Sequence, residues 1–195
     1  MKSFLLLHIV LILLLTASKL IQCLKQPSEN FLNKQILVEP DRFVLYWNYQ
    51  QQQQQETKQI NDEQQFITFE MHVKSARWAA IGLTPSGGMA NADLLVVFQH
   101  TNGSLHFTDR HIKSNSPRIP VVDKQTQDWI HLQFSSNDND YLICKFKRKI
   151  KLNKNCTHLN NKDEIEDLDI VDGTPMLIYA WGDSLIRRDG EEEDI

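Results

Sequence analysis

The 195-residue chain is sparing with the residues that staple or punctuate a fold, holding three cysteines, seven glycines and six prolines. Three cysteines allow at most one intrachain bridge. Charge of one sign is also scarce: 21 Lys and Arg stand against 25 Asp and Glu, for a net charge of −4 and a pI near 6.0. Such a balance exerts no general pull toward nucleic acid. No segment beyond the N-terminal region is long and apolar enough to span a membrane, which takes about 20 residues, and no internal repeat recurs at a fixed period. None of the seven histidines is adjacent to another or one residue from it, so no closely spaced copper pair can be drawn from them. Helical periodicity is missing as well. This length accommodates one domain with terminal extensions and a real core, not a two-domain enzyme.

What is present begins with an apolar run from Phe4 to Leu15, preceded by Lys2 and followed by Thr16-Ala17-Ser18. That pattern predicts a secretory signal peptide over residues 1–23, cut after Ser18 or Cys23, and a lumenal or extracellular product without a membrane anchor. Two glycosylation sequons fit such a compartment, at Asn102 and Asn155. Cleavage after Cys23 would leave Cys144, in an expected buried strand, and Cys156, in a polar loop. Both a bridge between them and free thiols stay open.

Residues 24–42 read as a polar N-terminal arm, and Phe43–Tyr49 as the opening strand, rich in aromatic and β-branched residues. Residues 50–65 are Gln-rich and lack an apolar period, which suits an expanded hairpin loop. Ile67, Phe69, Met71 and Val73 then alternate with Thr68, Glu70 and His72, which predicts one buried and one wet face and puts His72 at the surface. Further strands are expected at 78–83, 94–99, 105–110, 129–134, 141–146 and 176–181. Ile130, Leu132 and Phe134 should face inward, as should Leu142, Cys144 and Phe146. The run Lys145–Lys151 reads as a solvated strand end. Residues 184–195 form an acidic tail. Eight short strands with turn signals between them predict an all-β, antiparallel β-sandwich.

The centre of the chain is Ala76 to Phe98, a strand, a Gly-rich loop and a second strand. Leu94 to Phe98 has no polar face and should run through the middle of a sheet covered on both sides. Just before it stands Asp93, either a turn residue or a ligand held at a rigid strand mouth. Met89, in the loop, reads as a soft apolar plug.

The order of the Trp47, Ile67 and Trp78 strands, the stretch Gly82 to Leu94 with its Gly-Gly-Met and Ala-Asp-Leu elements, Gln127-Asp128-Trp129, Phe146-Lys147-Arg148 followed by Cys156, and the closing Ile178-Tyr179-Ala180-Trp181 together resemble the DOMON domain. The likeness is in particular to the module found in dopamine β-hydroxylase and its monooxygenase relatives, and it covers residues 43–183. The resemblance implies a β-sandwich that serves as a ligand-binding, metal-binding or interaction module of a secreted protein, with no catalytic residue of its own. It implies a cation site at Asp93 and Asp128, with backbone oxygens of Leu94 and Arg110 as further ligands and Asp109 as a nearby alternative. Carboxylates and carbonyls suit a hard cation such as Ca²⁺. In haem-binding relatives a methionine matching Met89 works with a histidine near the closing strand. Residues 179–183 contain no histidine, so haem is not expected, and neither is copper. The resemblance further implies that Cys156 pairs outside this module, so it is free, joined to Cys144, or bridged to another chain. The partner implied is a small ligand or another protein. A fragment of a copper- and ascorbate-dependent monooxygenase, and a haem electron-transfer module, are the alternative functions.

Overall fold

The computed structural model describes residues 26–49, 65–100, 102–113, 119–124, 127–137, 140–152, 167–170 and 176–184. The expected signal segment, the Gln-rich stretch up to residue 64, Asn155, Cys156 and the tail from residue 185 lie outside them. The chain divides into two compact units, Met1–Asn30 and Phe31–Ile195. The described part of the first, residues 26–30, contains no helix or strand.

Alternating apolar patterns in the second unit produce ten strands: β1 (Asn33–Val38), β2 (Phe43–Tyr49), β3 (Phe66–Lys74), β4 (Trp78–Thr84), β5 (Asp93–Gln99), β6 (Leu105–His111), β7 (Val121–Val122), β8 (Trp129–Asn137), β9 (Tyr141–Lys149) and β10 (Met176–Gly182). They form two five-stranded sheets, β1-β2-β3-β9-β8 and β10-β4-β5-β6-β7, with every pairing antiparallel. The expected sandwich is therefore the observed architecture. Among the described residues there is no helix. Two strands exceed the eight expected. β1 occupies the segment read as a polar arm, and β7 lies between the strands expected at 105–110 and 129–134. Both are short edge strands whose own composition signals little; pairing to β2 and β6 supplies what propensity does not.

The interior lies between the sheets and is apolar. Phe43, Leu45, Phe69, Met71, Val73, Leu142, Cys144 and Phe146 from the first sheet meet Ala79, Ile81, Leu83, Leu95 and Val97 from the second. Phe146 stacks on Phe69 at 5.4 Å and meets Trp129 edge-on at 5.7 Å. β5 is buried on both faces, as its unbroken apolar run requires: Leu95 and Val97 point into the interior, and Leu94, Val96 and Phe98 join Ala80, Ala92 and Ile112 in a second cluster. Cys144 is a free, buried thiol in this core.

Three inward and outward assignments change. His72 is buried, not exposed, and so are Thr68 and Glu70 beside it. The polar groups of this face satisfy one another, since the His72 ring nitrogen lies 2.6 Å from Glu70 Oε1 and Tyr46 packs on the imidazole at 5.1 Å. Phe31 covers Tyr46 from above at 6.0 Å. On β8, Leu132 is exposed while Trp129 is buried and Phe134 packs on the core. A bulge between His131 and Gln133 inserts one residue and inverts the alternation beyond it. Finally, the run Lys145–Lys151 is not uniformly solvated, because Arg148 within it is fully buried.

The bulge makes a testable distinction on one strand. Phe134→Ala should cost about 2 kcal/mol or more in chemical denaturation, whereas Leu132→Ala should change stability by less than about 0.5 kcal/mol; the reverse order would mean that β8 pairs without the bulge.

Candidate functional site

At one end of the apolar interior the side chains facing inward become charged. Asp93 opens β5 opposite His111 of β6, and Asp109 stands opposite Leu95, so that all three project from the inner face of one sheet. From the other sheet comes Arg148 of β9, paired across the backbone with Trp129 of β8, and Asp128 immediately precedes β8. The close approach of β4 to β5 at this point depends on Gly82. A Cβ there would lie 2.3 Å from the Asp93 carbonyl oxygen and 2.4 Å from the Leu94 side chain, a contact no packed core tolerates.

Asp93 is fully buried and is a strand residue with both carboxylate oxygens hydrogen-bonded, not a turn residue. Its Oδ2 accepts from the Arg148 guanidinium and from the Leu168 N–H at 3.0 Å, and its Oδ1 accepts from the Trp129 indole N–H. Arg148 also contacts Asp128 through Nη1, donates to the Leu168 carbonyl at 2.6 Å, and lies 5.0 Å over the Trp129 ring. Asp109 Oδ2 accepts the backbone N–H groups of Asp128 and Trp129 at 2.9 and 3.2 Å. Asp167, half-buried, brings a fourth carboxylate, and ligand oxygens of Asp93, Asp109, Asp128 and Asp167 all lie within 4.8 Å of one another. The segment carrying Asp167 is held by Leu168 as above, by Ile170 N–H to the Ile150 carbonyl at 2.8 Å, and by Leu152 N–H to Asp169 at 2.8 Å.

The charges do not balance. Four carboxylates converge on one guanidinium. Asp109 Oδ1, Asp128 Oδ1 and Asp167 Oδ1 are buried with no hydrogen-bond partner in the protein, although buried polar atoms ordinarily have one. Burial pushes both Asp93 and Asp109 up to about 6, despite the opposing pull of Arg148. Asp123, behind them, goes up to about 10, through burial first and the field of Asp109 second. Its Oδ1 contacts His111 Nδ1. The arrangement is an oxygen-rich, electron-rich cage in which Arg148 Nε is also left unpaired, and the group its converging oxygens suit is a hard cation.

Of the expected ligands, Asp93 and Asp128 are brought together. Leu94 and Arg110 face one another across β5 and β6 one step along. Their side chains point away from the cluster: Leu94 packs with Ala92, Val96, Phe98 and Ile112, and Arg110 donates to Thr108 and to the Pro120 carbonyl. Asp109, an alternative in the sequence, belongs to the cluster. Asp167 and the pairing role of Arg148 were not read from the sequence. Asp167 sits among several acids in a polar stretch, and nothing local separates it from its neighbours. Arg148 could have been suspected, since it falls on the inward parity set by Leu142, Cys144 and Phe146. Met89 stands exposed on the β4–β5 loop, and Asn102 is exposed in the β5–β6 turn.

A family model for the DOMON domain matches residues 43–182. Over 117 residues the chain is 29% identical to MOXD1 homolog 2 of Drosophila melanogaster, an alignment covering 60% of this chain and 14% of that protein. Over 115 residues it is 27% identical to DBH-like monooxygenase protein 1 of Homo sapiens, covering 59% and 16% respectively. The aligned part thus spans less than a fifth of either relative's length. Among solved structures, the chain is similar to the cytochrome domain of Myriococcum thermophilum cellobiose dehydrogenase with a TM-score of 0.40 and 14% identity, covering 78% of this chain and 76% of that one.

Two outcomes follow from the charge imbalance. Replacing Arg148 with Met in cation-free protein leaves buried carboxylates without their counter-charge and should cost about 3–5 kcal/mol in chemical denaturation. Because Asp93 and Asp109 are raised from 3.8 to about 6 in the folded state, the stability tied to their neutral forms is complete below 3.8 and is lost as pH rises through about 6. Chelator-treated protein should therefore lose stability over that window, and the loss should shrink in Asp109→Asn; a wild-type stability that rises through the same window contradicts the assignment.

Proposed function

The chain belongs to the DOMON domain family, and from that premise we propose that it is a non-catalytic binding module whose end-of-sandwich acid cluster holds a hard cation such as Ca²⁺. The observation that carries this reading is the set of buried carboxylate oxygens of Asp109, Asp128 and Asp167 that converge without a hydrogen-bond donor. Asp93, Asp109, Asp128 and Asp167 would supply the ligand oxygens, with backbone carbonyls of Leu94 and Arg110 as additional donors from the same strand ends. When bound, the ion supplies positive charge; it opens no reaction of its own at this site.

The remaining work falls to the protein. Trp129 and the Leu168 N–H fix the Asp93 carboxylate, and the backbone of Asp128 and Trp129 fixes Asp109, so the oxygens are held before any ion arrives. Arg148 neutralises part of the cluster and ties β9 to β5. Such a site joins the ends of the two sheets to the segment 167–170. It gives the module a rigid end from which loops can engage a small ligand or a neighbouring protein. Haem is not part of this reading: Met89 is exposed and no histidine occurs at 179–183.

A second reading has its own support. Both curated relatives are several times longer than the matched region, and one is named a monooxygenase. The chain would then be the DOMON portion of a copper- and ascorbate-dependent enzyme whose chemistry lies in other domains. Under either reading the apolar run Phe4–Leu15 and the sequons at Asn102 and Asn155 support action in the secretory pathway or outside the cell.

Titration calorimetry of Ca²⁺ into chelator-treated protein should give saturable binding of one ion per chain. Asp109→Asn and Asp167→Asn should each weaken it by roughly tenfold or more, since affinity follows ligand charge. At a hundredfold excess over Kd, the ion should add about 2.7 kcal/mol of stability. No heat of binding, or full affinity in both variants, would remove the site.

A further inference from the structure

Two buried groups stand beside the cage without being among its ligands. His111 and Asp123 are 2% and 4% exposed, and neither belongs to the converging set of Asp93, Asp109, Asp128 and Asp167. The strand that brings them together is β7, only two residues long. It pairs His111 with Val121 and Arg110 with Val122, so one further step of the same register sets Asp123 opposite Asp109. The Asp123 N–H donates to the Asp109 carbonyl at 3.0 Å, and its own carbonyl accepts from Gln127 Nε2 at 3.2 Å. Asp123 is thereby fixed at both backbone groups. Its side chain is fixed as well, because Oδ1 contacts Nδ1 of His111, which stands across from Asp93 of β5.

Directly opposed residues of an antiparallel pair hold their Cβ atoms about 4.5–5.5 Å apart, and the field that Asp109 exerts on the Asp123 carboxyl reflects that closeness. Asp109 is in need of such a neighbour. The two backbone N–H groups that hold it both go to Oδ2, while Oδ1, the oxygen left for an ion, is buried without a hydrogen-bond partner. A carboxylate held by one oxygen can still swing the other away. On the premise that the cage holds a hard cation, we propose that Asp123, seated by His111, is a positioning residue of that site: it fills the space into which Asp109 Oδ1 would swing and keeps that oxygen turned into the cage. Partners one layer out from a metal orient its ligands in this way, and losing one costs about 10–100-fold in affinity. Ligands held in advance also spare the ion the cost of ordering them.

Calorimetry with Ca²⁺ on chelator-treated protein reads this role. Asp123→Ala, which empties the space, should weaken binding about 10–100-fold. Asp123→Asn, which refills it with the same shape and keeps an oxygen toward His111, should bind nearly as the wild type does. His111→Ala should weaken binding in the same direction, and adding it to Asp123→Ala should cost nothing more, since His111 acts through Asp123. A merely structural role would instead lower the thermal midpoint of the cation-free protein and leave the affinity of the folded fraction unchanged. Should Asp123→Ala not fold, His111→Ala set against wild type carries the same test. Wild-type affinity in Asp123→Ala and His111→Ala, or an Asp123→Asn as weak as Asp123→Ala, overturns the positioning role and leaves the cation site standing. A wild-type chain that binds no ion removes both.

Discussion

The buried Arg148 guanidinium, reaching from one sheet to the carboxylates of Asp93 and Asp128, is the contact on which the functional end of this molecule depends. Burying a charge costs several kcal/mol unless it is paired and hydrogen-bonded, and here one cation is surrounded by four carboxylates. That excess fixes the rest. It requires further positive charge or protons, and it makes the apolar interior next door important, because burial there is what holds the protons of Asp93 and Asp109 to about 6 and low dielectric magnifies every imbalance. Trp129 belongs to both regions, its ring in the core and its N–H on Asp93.

The fold was largely legible because strand alternation reports burial directly. Ile67, Phe69, Met71 and Val73 on β3, and Leu142, Cys144 and Phe146 on β9, point as their parity demands. The misreadings share one cause, that parity cannot register what a neighbouring element does. The bulge at His131 reverses β8, and nothing in the residues Ile130 to Phe134 announces it. Glu70 and His72 look wet until one sees that they answer each other under Tyr46. β1 is invisible alone because its order comes from pairing with β2.

The site was legible in half. Asp93 and Asp128 stand beside apolar strands in motifs that resemble a known family, whereas Asp167 lies far along the chain, beside Leu168, which is pinned to both Asp93 and Arg148. Arg148 was concealed among lysines. A basic run invites a solvent-facing reading, yet strand alternation sends one member of it inward.

The central claim, that the acid cluster binds a hard cation, is tested most directly with terbium. Tb³⁺ has the charge and oxygen preference of a hard ion, and Trp129 lies against the site as an energy donor. Tryptophan excitation should yield sensitised Tb³⁺ emission that Ca²⁺ displaces and that Trp129→Phe greatly reduces. No sensitised emission, or emission as strong as wild type in both the Trp129→Phe and Asp109→Asn variants, would contradict the account.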